Sequence, residues 1–446
     1  MLVCVRLRAI SRHNLVVAEA RRMRILKTFG ETSSEAREVI AELENRGASN
    51  TAKVDAVVRG IVDDVRQRGD VAVREVSAKF DGLTPDDALL VSRDEMHTAW
   101  DATSEELKAA MRLAQANIRT FAEKQLPRAF SFRPAEGMEV GQVIRPMESV
   151  GCYVPGGRYP LPSTLLMTVT PAQVAGVERI VVCSPKPARE TMAAAWLASE
   201  GSAGLFEFYR IGGAQAIAAM AYGTGTIGAV NKIVGPGNLY VTAAKTMVSQ
   251  DAGIDMPAGP TEIVVTSESG DAEGIAADLV AQAEHDPEAL AILITSKKEL
   301  AEAVALEVKR QAANNLIAQE SLAAQGFAFV TQTVEEAQVL TNRLAPEHLT
   351  VDSGADLRWV KNAGSVFIGH HTPQSMGDYI SGPNHVLPTG RNGRVRGGLS
   401  VLDFVKVITV QQYTRDALRE VGPHTIALAE AEGLKGHAES VRVRMR

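Results

Sequence analysis

Apolar residues recur at three- and four-residue spacing through VDAVVRGIVDDVRQRGDVAVREVSAKF, from Val54 to Phe80. The spacing returns in SEELKAAMRLAQANIRTFAEKQ, from Ser104 to Gln125, behind a serine suited to capping. That period predicts a largely helical region from Ser33 to about Ala129. From Val150 the texture changes. RIVVCSP, FEFYRIGG, NKIVGPG, EIVVTS, LAILITS, FAFVTQ and SVFIG are short, nearly continuous apolar runs that read as buried strands. Between them MAAAWLASE, AQAIAAMAYG, LYVTAAKTMVSQ, EGIAADLVAQAEH and VEEAQVLTNRL read as helices. The alternation implies parallel sheets with helical crossovers, split into two layers near Asp255–Pro260. The part after Ser400 reads as a helical, highly charged arm.

The expected fold class is therefore α/β, with two Rossmann-like parallel-sheet domains, a helical N-terminal region and a C-terminal arm. The expected division is an extension over 1–30 and a first α/β domain from 31–150 plus 260–399. A second α/β domain covers 151–259, and the arm covers 400–446. The opening segment is arginine-rich without a clean apolar core or a small-residue cleavage site, so it makes a poor secretory signal, and Met23 is an alternative start.

Composition narrows the function. The chain has 446 residues, long enough for more than one folding unit. A net charge of −6 and an aromatic fraction of 5% argue against a nucleic-acid surface. No apolar run is long enough to span a bilayer. Cys4, Cys152 and Cys183 are too few and too scattered for a disulfide framework or a cysteine-ligated zinc site, which points to a reducing cytoplasm. Cys152, in GCYVPGG, reads as a small buried filler rather than a nucleophile.

Several segments offer chemistry. GTGTIG (Gly223 to Gly228) matches G-x-G-x-x-G, but a helical run precedes it where the fingerprint needs a strand, so it reads as a helix-terminating loop. GPGN, Gly235 to Asn238, follows a strand and precedes a helix, which suits phosphate contact through free backbone N–H groups. Gln282 and His285 share one helix face and can reach one ion, although such a pair alone is usually polar capping. Glu347 and His348 place two proton-transfer groups in succession, held between Pro346 and a following strand. His370–His371 reads as an exposed loop. The segment QSMGDYISGPNHVLPTGRNGRVRGGLS brings Asp378 and His385 close to Arg391, Arg394 and Arg396. Metal-type ligands beside guanidinium groups suggest a site for a small anion.

Taken together these segments resemble the histidinol dehydrogenase family. The resemblance rests on GCYVPGGRYPLPSTLLMTVTPAQVAGV, IGGAQAIAAMAYGT, KIVGPGNLYVTAAK, DMPAGPTEIVV, LVAQAEHDP, APEHLTV, SMGDYISGPNHVLPT and GGLSVLDFVK, in that order. It implies one Zn2+ per subunit held by Gln282, His285, Asp378 and His437, the last from a partner subunit. The arm would then be swapped in a homodimer. It implies Glu347 and His348 as the catalytic pair, Tyr153, Gln215 and Asn238 as NAD contacts, and His385 and Glu432 at the substrate. The implied chemistry takes a primary alcohol through a bound aldehyde to a carboxylate with two NAD. Two departures stand out. Arg391 and Arg396 replace small neutral residues of the family's loop, while Arg394 matches, and Thr261 replaces a serine near the substrate. Extra guanidinium groups favour an anion over the cation histidinol. The sequence-based expectation is therefore 2,3-dihydroxypropane-1-sulfonate, giving sulfolactate. The alternative is L-histidinol, and an inactive binding paralogue is a third possibility disfavoured by the complete ligand set.

Overall fold

Among the described residues, fourteen strands order the chain. They are β1 (Arg24–Lys27), β2 (Phe130–Phe132), β3 (Met138–Pro146), β4 (Ser149–Tyr153), β5 (Arg179–Cys183), β6 (Leu205–Tyr209) and β7 (Lys232–Val234), followed by β8 (Gly253–Ile254), β9 (Glu262–Thr266), β10 (Leu290–Thr295), β11 (Gly326–Val330), β12 (His348–Val351), β13 (Ser365–Ile368) and β14 (Val405–Tyr413). The computed structural model describes residues 23–31, 33–46, 53–156 and 159–446. Cys4 and most of the opening segment lie outside the described residues.

Two parallel sheets carry the cores. One has the order β6-β5-β4-β7-β8, and the other β1-β11-β10-β9-β12-β13. In each the crossover series starts at a central strand, β4 or β9, runs outward through the next two strands, and then returns to fill the other side, while β1, earlier in the chain, adds an edge beside β11. The strand order therefore reverses beside β4 and beside β9. Helices form the crossovers, such as Pro162–Ala175 between β4 and β5 and Ala272–Ala283 between β9 and β10. Alternation along each strand feeds both faces. Ile180 and Val182 pack on one side of β5, while Val181 and Cys183 pack on the other. Likewise Ile263 and Val265 of β9 enter one core and Val264 the opposite one. Strands buried on both faces must be apolar throughout, which is why they read as continuous runs.

The structure bears out the α/β class and corrects two expectations. Arg24–Lys27, within the segment expected to be an extension, pairs in parallel with β11 as an edge strand. Val405–Tyr413, expected to belong to a helical arm, is a strand paired antiparallel with β3 along its full length, from Val405 opposite Pro146 to Tyr413 opposite Met138. The run VKVITVQQY is rich in β-branched residues, and that local preference prevails over the helical character of the segments after it. Helices Arg415–Ala431 and Lys435–Met445 complete the C-terminal arm. Among the described residues, no helix is long and apolar enough to cross a membrane.

Candidate active site

The loop between β8 and β9 joins the carboxyl end of one parallel sheet to the amino end of the other, and the candidate residues gather at its two ends. At the sheet containing β4, the reversal point lies between β4 and β7, where open α/β sheets bind ligands beyond their carboxyl ends. Tyr153 closes β4, and Gly235 to Asn238 follow β7. Gly235 has φ +112°, and a Cβ there would lie 2.1 Å from the Tyr153 carbonyl oxygen, so only glycine permits this approach. Asn238 caps helix Leu239–Val248, its side-chain oxygen accepting from the N–H groups of Tyr240 and Val241. Its amide NH2 is thereby turned outward from the cap. Tyr153 is buried, and its hydroxyl accepts from Gly213 N at 3.1 Å. Gln215 is buried too, donating to Asp81 Oδ2 at 3.0 Å, which also accepts from Gly212 N. GTGTIG is indeed a loop after helix Gly213–Tyr222, with Gly223 ending the helix at φ +74°.

The catalytic candidates lie at the amino end of the other sheet. Helix Val334–Leu344 is terminated by Ala345 at φ 47°, Pro346 follows, and β12 begins at His348. This turn brings two adjacent residues onto one site. Glu347 and His348 are 6% and 3% exposed, with Glu347 Oε2 at 3.6 Å from His348 Nδ1. His348 is held centrally, because β12 pairs with both β9 and β13.

The hydrogen bonds say where the Nδ1 proton of His348 sits and how Glu347 is held. His348 Nδ1 lies 3.0 Å from the Glu262 backbone carbonyl, which only accepts, so Nδ1 carries the proton. Nε2 is buried and without a hydrogen-bond partner, 3.8 Å from Asp378 Oδ1. Glu347 Oε2 accepts from Thr261 Oγ1 at 2.6 Å and from Glu262 N at 2.8 Å. Thr261 Oγ1 in turn accepts from Gln282 Nε2 at 2.6 Å. Burial pushes the Glu347 carboxyl up to about 6, although His348 and the Thr261 hydrogen bond act the other way. Thr261 therefore keeps the hydroxyl that a serine would supply.

His385 closes the far side. Its Nδ1 lies 2.8 Å from the Asp378 carbonyl, and its Nε2 accepts from Thr164 Oγ1 at 3.2 Å. Burial holds its imidazolium below the ordinary range, against the pull of Asp378. Gln282 is fully buried with Oε1 unpartnered. Gln282 Oε1 is thus an orphaned buried acceptor, of the kind a bound cation would satisfy. His285 is exposed in the turn that follows the Gln282 helix, Ala272–Ala283, its backbone N–H donating to the Gln282 carbonyl at 3.4 Å. Among the described residues, no three His, Cys, Asp or Glu side chains of one chain converge for a metal. His437 and Glu432 sit exposed on the C-terminal arm, outside this network.

The arginine loop behaves differently from its expected role. Arg391 Nε donates to the Arg343 carbonyl at 3.1 Å, and its Nη1 donates to the Glu44 carbonyl. Arg396 makes a two-pronged contact with Asp403 at 3.0 and 3.1 Å and also donates to the Asp255 carbonyl. Arg394 is exposed and donates to the Arg391 carbonyl. Arg391 and Arg396 thus tie the loop to its neighbours, and the anionic-substrate expectation loses its physical ground. Cys152 is buried with its thiol pushed up to about 12, consistent with an inert filler.

Sequence reasoning did not single out Asp81, Thr164, Glu262 or Gln374. Glu262 gave a signal, since a carboxylate opening a wholly buried strand needs a partner, and Arg46 supplies it. Lys245 and Asp255 form a second buried ion pair, in which Asp255 Oδ2 accepts from Gly235 N at 2.8 Å and Lys245 Nζ donates to the Gly235 carbonyl at 2.9 Å.

A family model described as histidinol dehydrogenase matches residues 44–445. The histidinol dehydrogenase of Methanothermobacter thermautotrophicus is 45% identical over 418 residues, covering 91% of this chain and 97% of that protein. That of Rhizobium meliloti is 46% identical over 401 residues, covering 88% and 92%. The crystal structure of histidinol dehydrogenase from Elizabethkingia anophelis superposes with a TM-score of 0.87 at 33% identity, covering 95% of this chain and 98% of that one.

Proposed function

The chain belongs to the histidinol dehydrogenase family, and from that premise we propose that it oxidises L-histidinol to L-histidine with two NAD. The observation that carries this reading is His348: a buried imidazole whose Nδ1 proton is committed to the Glu262 carbonyl, leaving Nε2 as a base beside Asp378. With Arg391 and Arg396 engaged by carbonyls and Asp403, neither of the arginines that depart from the family's loop is free to hold an anion, which removes the ground for preferring the sulfonate over histidinol.

Gln282, His285 and Asp378 would hold zinc, with His437 of a second copy completing four ligands in a homodimer, and Tyr153, Gln215 and Asn238 would contact NAD. Bound zinc would orient and polarise the hydroxyl, and bound NAD would accept hydride. His348 Nε2 takes the hydroxyl proton as hydride departs, giving an aldehyde that the site retains. Glu347, poised near neutrality by burial, takes a proton from water as its oxygen adds to the aldehyde carbon. During that addition the His348 imidazolium returns its proton to the former aldehyde oxygen, completing the hydrate, and the regenerated Nε2 then takes a proton from the hydrate as the second hydride leaves. One alcohol, one water and two NAD⁺ give one carboxylate, two NADH and three protons. His385 and Thr164 line the far side, and Glu432 would approach from the partner's arm.

The test is NADH formation by zinc-loaded protein offered L-histidinol and 2,3-dihydroxypropane-1-sulfonate in parallel. Turnover of histidinol with two NADH per substrate is expected. Turnover confined to the sulfonate would overturn the substrate, and one NADH per histidinol would overturn the second oxidation.

A further inference from the structure

Asp378 presents two unequal carboxylate oxygens. Oδ2 accepts from Gln374 Nε2 at 2.8 Å, while Oδ1 lies 3.8 Å from His348 Nε2. Gln374 is 1% exposed, so its amide is not exchanging this contact for water. Its backbone N–H approaches Asp278 Oδ1 at 3.4 Å. Asp278 sits four residues before Gln282 on helix Ala272–Ala283, on the same face. Gln374 therefore touches both Asp378 and the helix that bears Gln282. The loop has little slack of its own, because a Cβ on Gly377 would lie 2.6 Å from the Phe367 ring of β13.

We propose that Gln374 is the positioning residue for Asp378, its amide holding Oδ2 so that Oδ1 alone turns to the metal, with Asp278 anchoring Gln374 to the helix that bears Gln282. The proposal rests on Asp378 being a ligand, which is part of the proposed function. A carboxylate fixed this way offers one oxygen in one direction, which a four-coordinate ion requires. The glutamine side chain suits the task because its NH2 end donates and leaves the carboxylate charged. Glutamate at this position would put a second acceptor against Oδ2.

The experiment measures zinc affinity of the full-length protein by chelator competition, for wild type, Gln374→Met, Gln374→Glu and Asp378→Ala. Both Gln374 variants are expected to bind zinc about 10–100-fold more weakly, the usual cost of losing a partner that orients a ligand. Metal-free melting curves serve as the folding control, with some loss expected from the missing buried hydrogen bond, and the visible spectrum of the cobalt-substituted Gln374 variants should shift as the ligand geometry relaxes. If Gln374→Met does not fold, Gln374→Glu, with nearly the same shape, carries the test. Unchanged zinc affinity and cobalt spectrum in the Gln374 variants, with affinity lost in Asp378→Ala, would overturn the positioning role alone. Wild-type affinity in Asp378→Ala would overturn the ligand reading and the proposal with it.

Discussion

The Nδ1 of His348 is held 3.0 Å from the backbone carbonyl of Glu262, so the chain itself dictates which imidazole nitrogen is basic. A side-chain acceptor could change its protonation with pH, whereas a carbonyl cannot, and the tautomer is therefore fixed by the pairing of β12 with β9. Replacing His348 with Asn removes the base and leaves the strand able to form. The expected result is a fall in kcat of about 10²–10⁴-fold for the first oxidation, with KM little changed. Steady-state rates at saturating NAD and substrate measure this, and a kcat close to wild type would show that another group takes the proton.

The arginine loop calls for the opposite pattern. Arg391 closes two helix ends through the carbonyls of Glu44 and Arg343. Arg391→Ala should cost about 1.5–3 kcal/mol of stability, as expected for hydrogen bonds to a charged group, and change KM for L-histidinol by less than about twofold. Denaturant unfolding and steady-state kinetics on the same preparation check both halves. A large KM rise with unaltered stability would return this arginine to the substrate.

Strands buried on both faces, such as LAILIT of β10, are legible in the sequence because burial leaves no room for polar residues. β14 is not, because its side chains are mostly exposed and the helices after it dominate the local pattern. Family motifs single out Glu347, His348, Gln282 and Asp378, and the structure joins them around one site. The roles of Arg391 and Arg396 are not readable from sequence, since a loop has no periodicity to say where a guanidinium points. Asp81, remote in sequence from Gln215, is brought to it only by tertiary packing.

Asp278 gives a pH-dependent prediction in the metal-free protein. Burial pushes its carboxyl up from the ordinary value to about 6, with only the long contact from Gln374 N opposing. A folded-state pKa above the unfolded one means that the native state binds more protons between the two values. Stability is therefore fully present below the unfolded pKa and declines as pH rises through about 6. Asp278→Asn removes that decline. Its melting temperature should exceed wild type above about pH 7 and converge with it below about pH 4. Melting curves across this range decide the matter, and a constant difference at every pH would assign the effect to something other than titration.

Lys245 and Asp255 supply the last prediction. Both are almost fully buried, and between them they hold the N–H and carbonyl of Gly235 and the N–H of Met256. Removing one charge strands the other without solvent, so Lys245→Met should destabilise the fold by about 3–5 kcal/mol. The double variant Lys245→Met/Asp255→Leu leaves no stranded charge, and it should recover part of that loss. It still lacks the acceptors for Gly235 N and Met256 N, so the loop from Gly235 to Asn238 should remain loosened. Unfolding free energies and NAD binding are to be measured on both variants. Recovery of stability without recovery of NAD affinity would show that the ion pair shapes the cofactor loop. Full recovery of both would reduce it to a packing element.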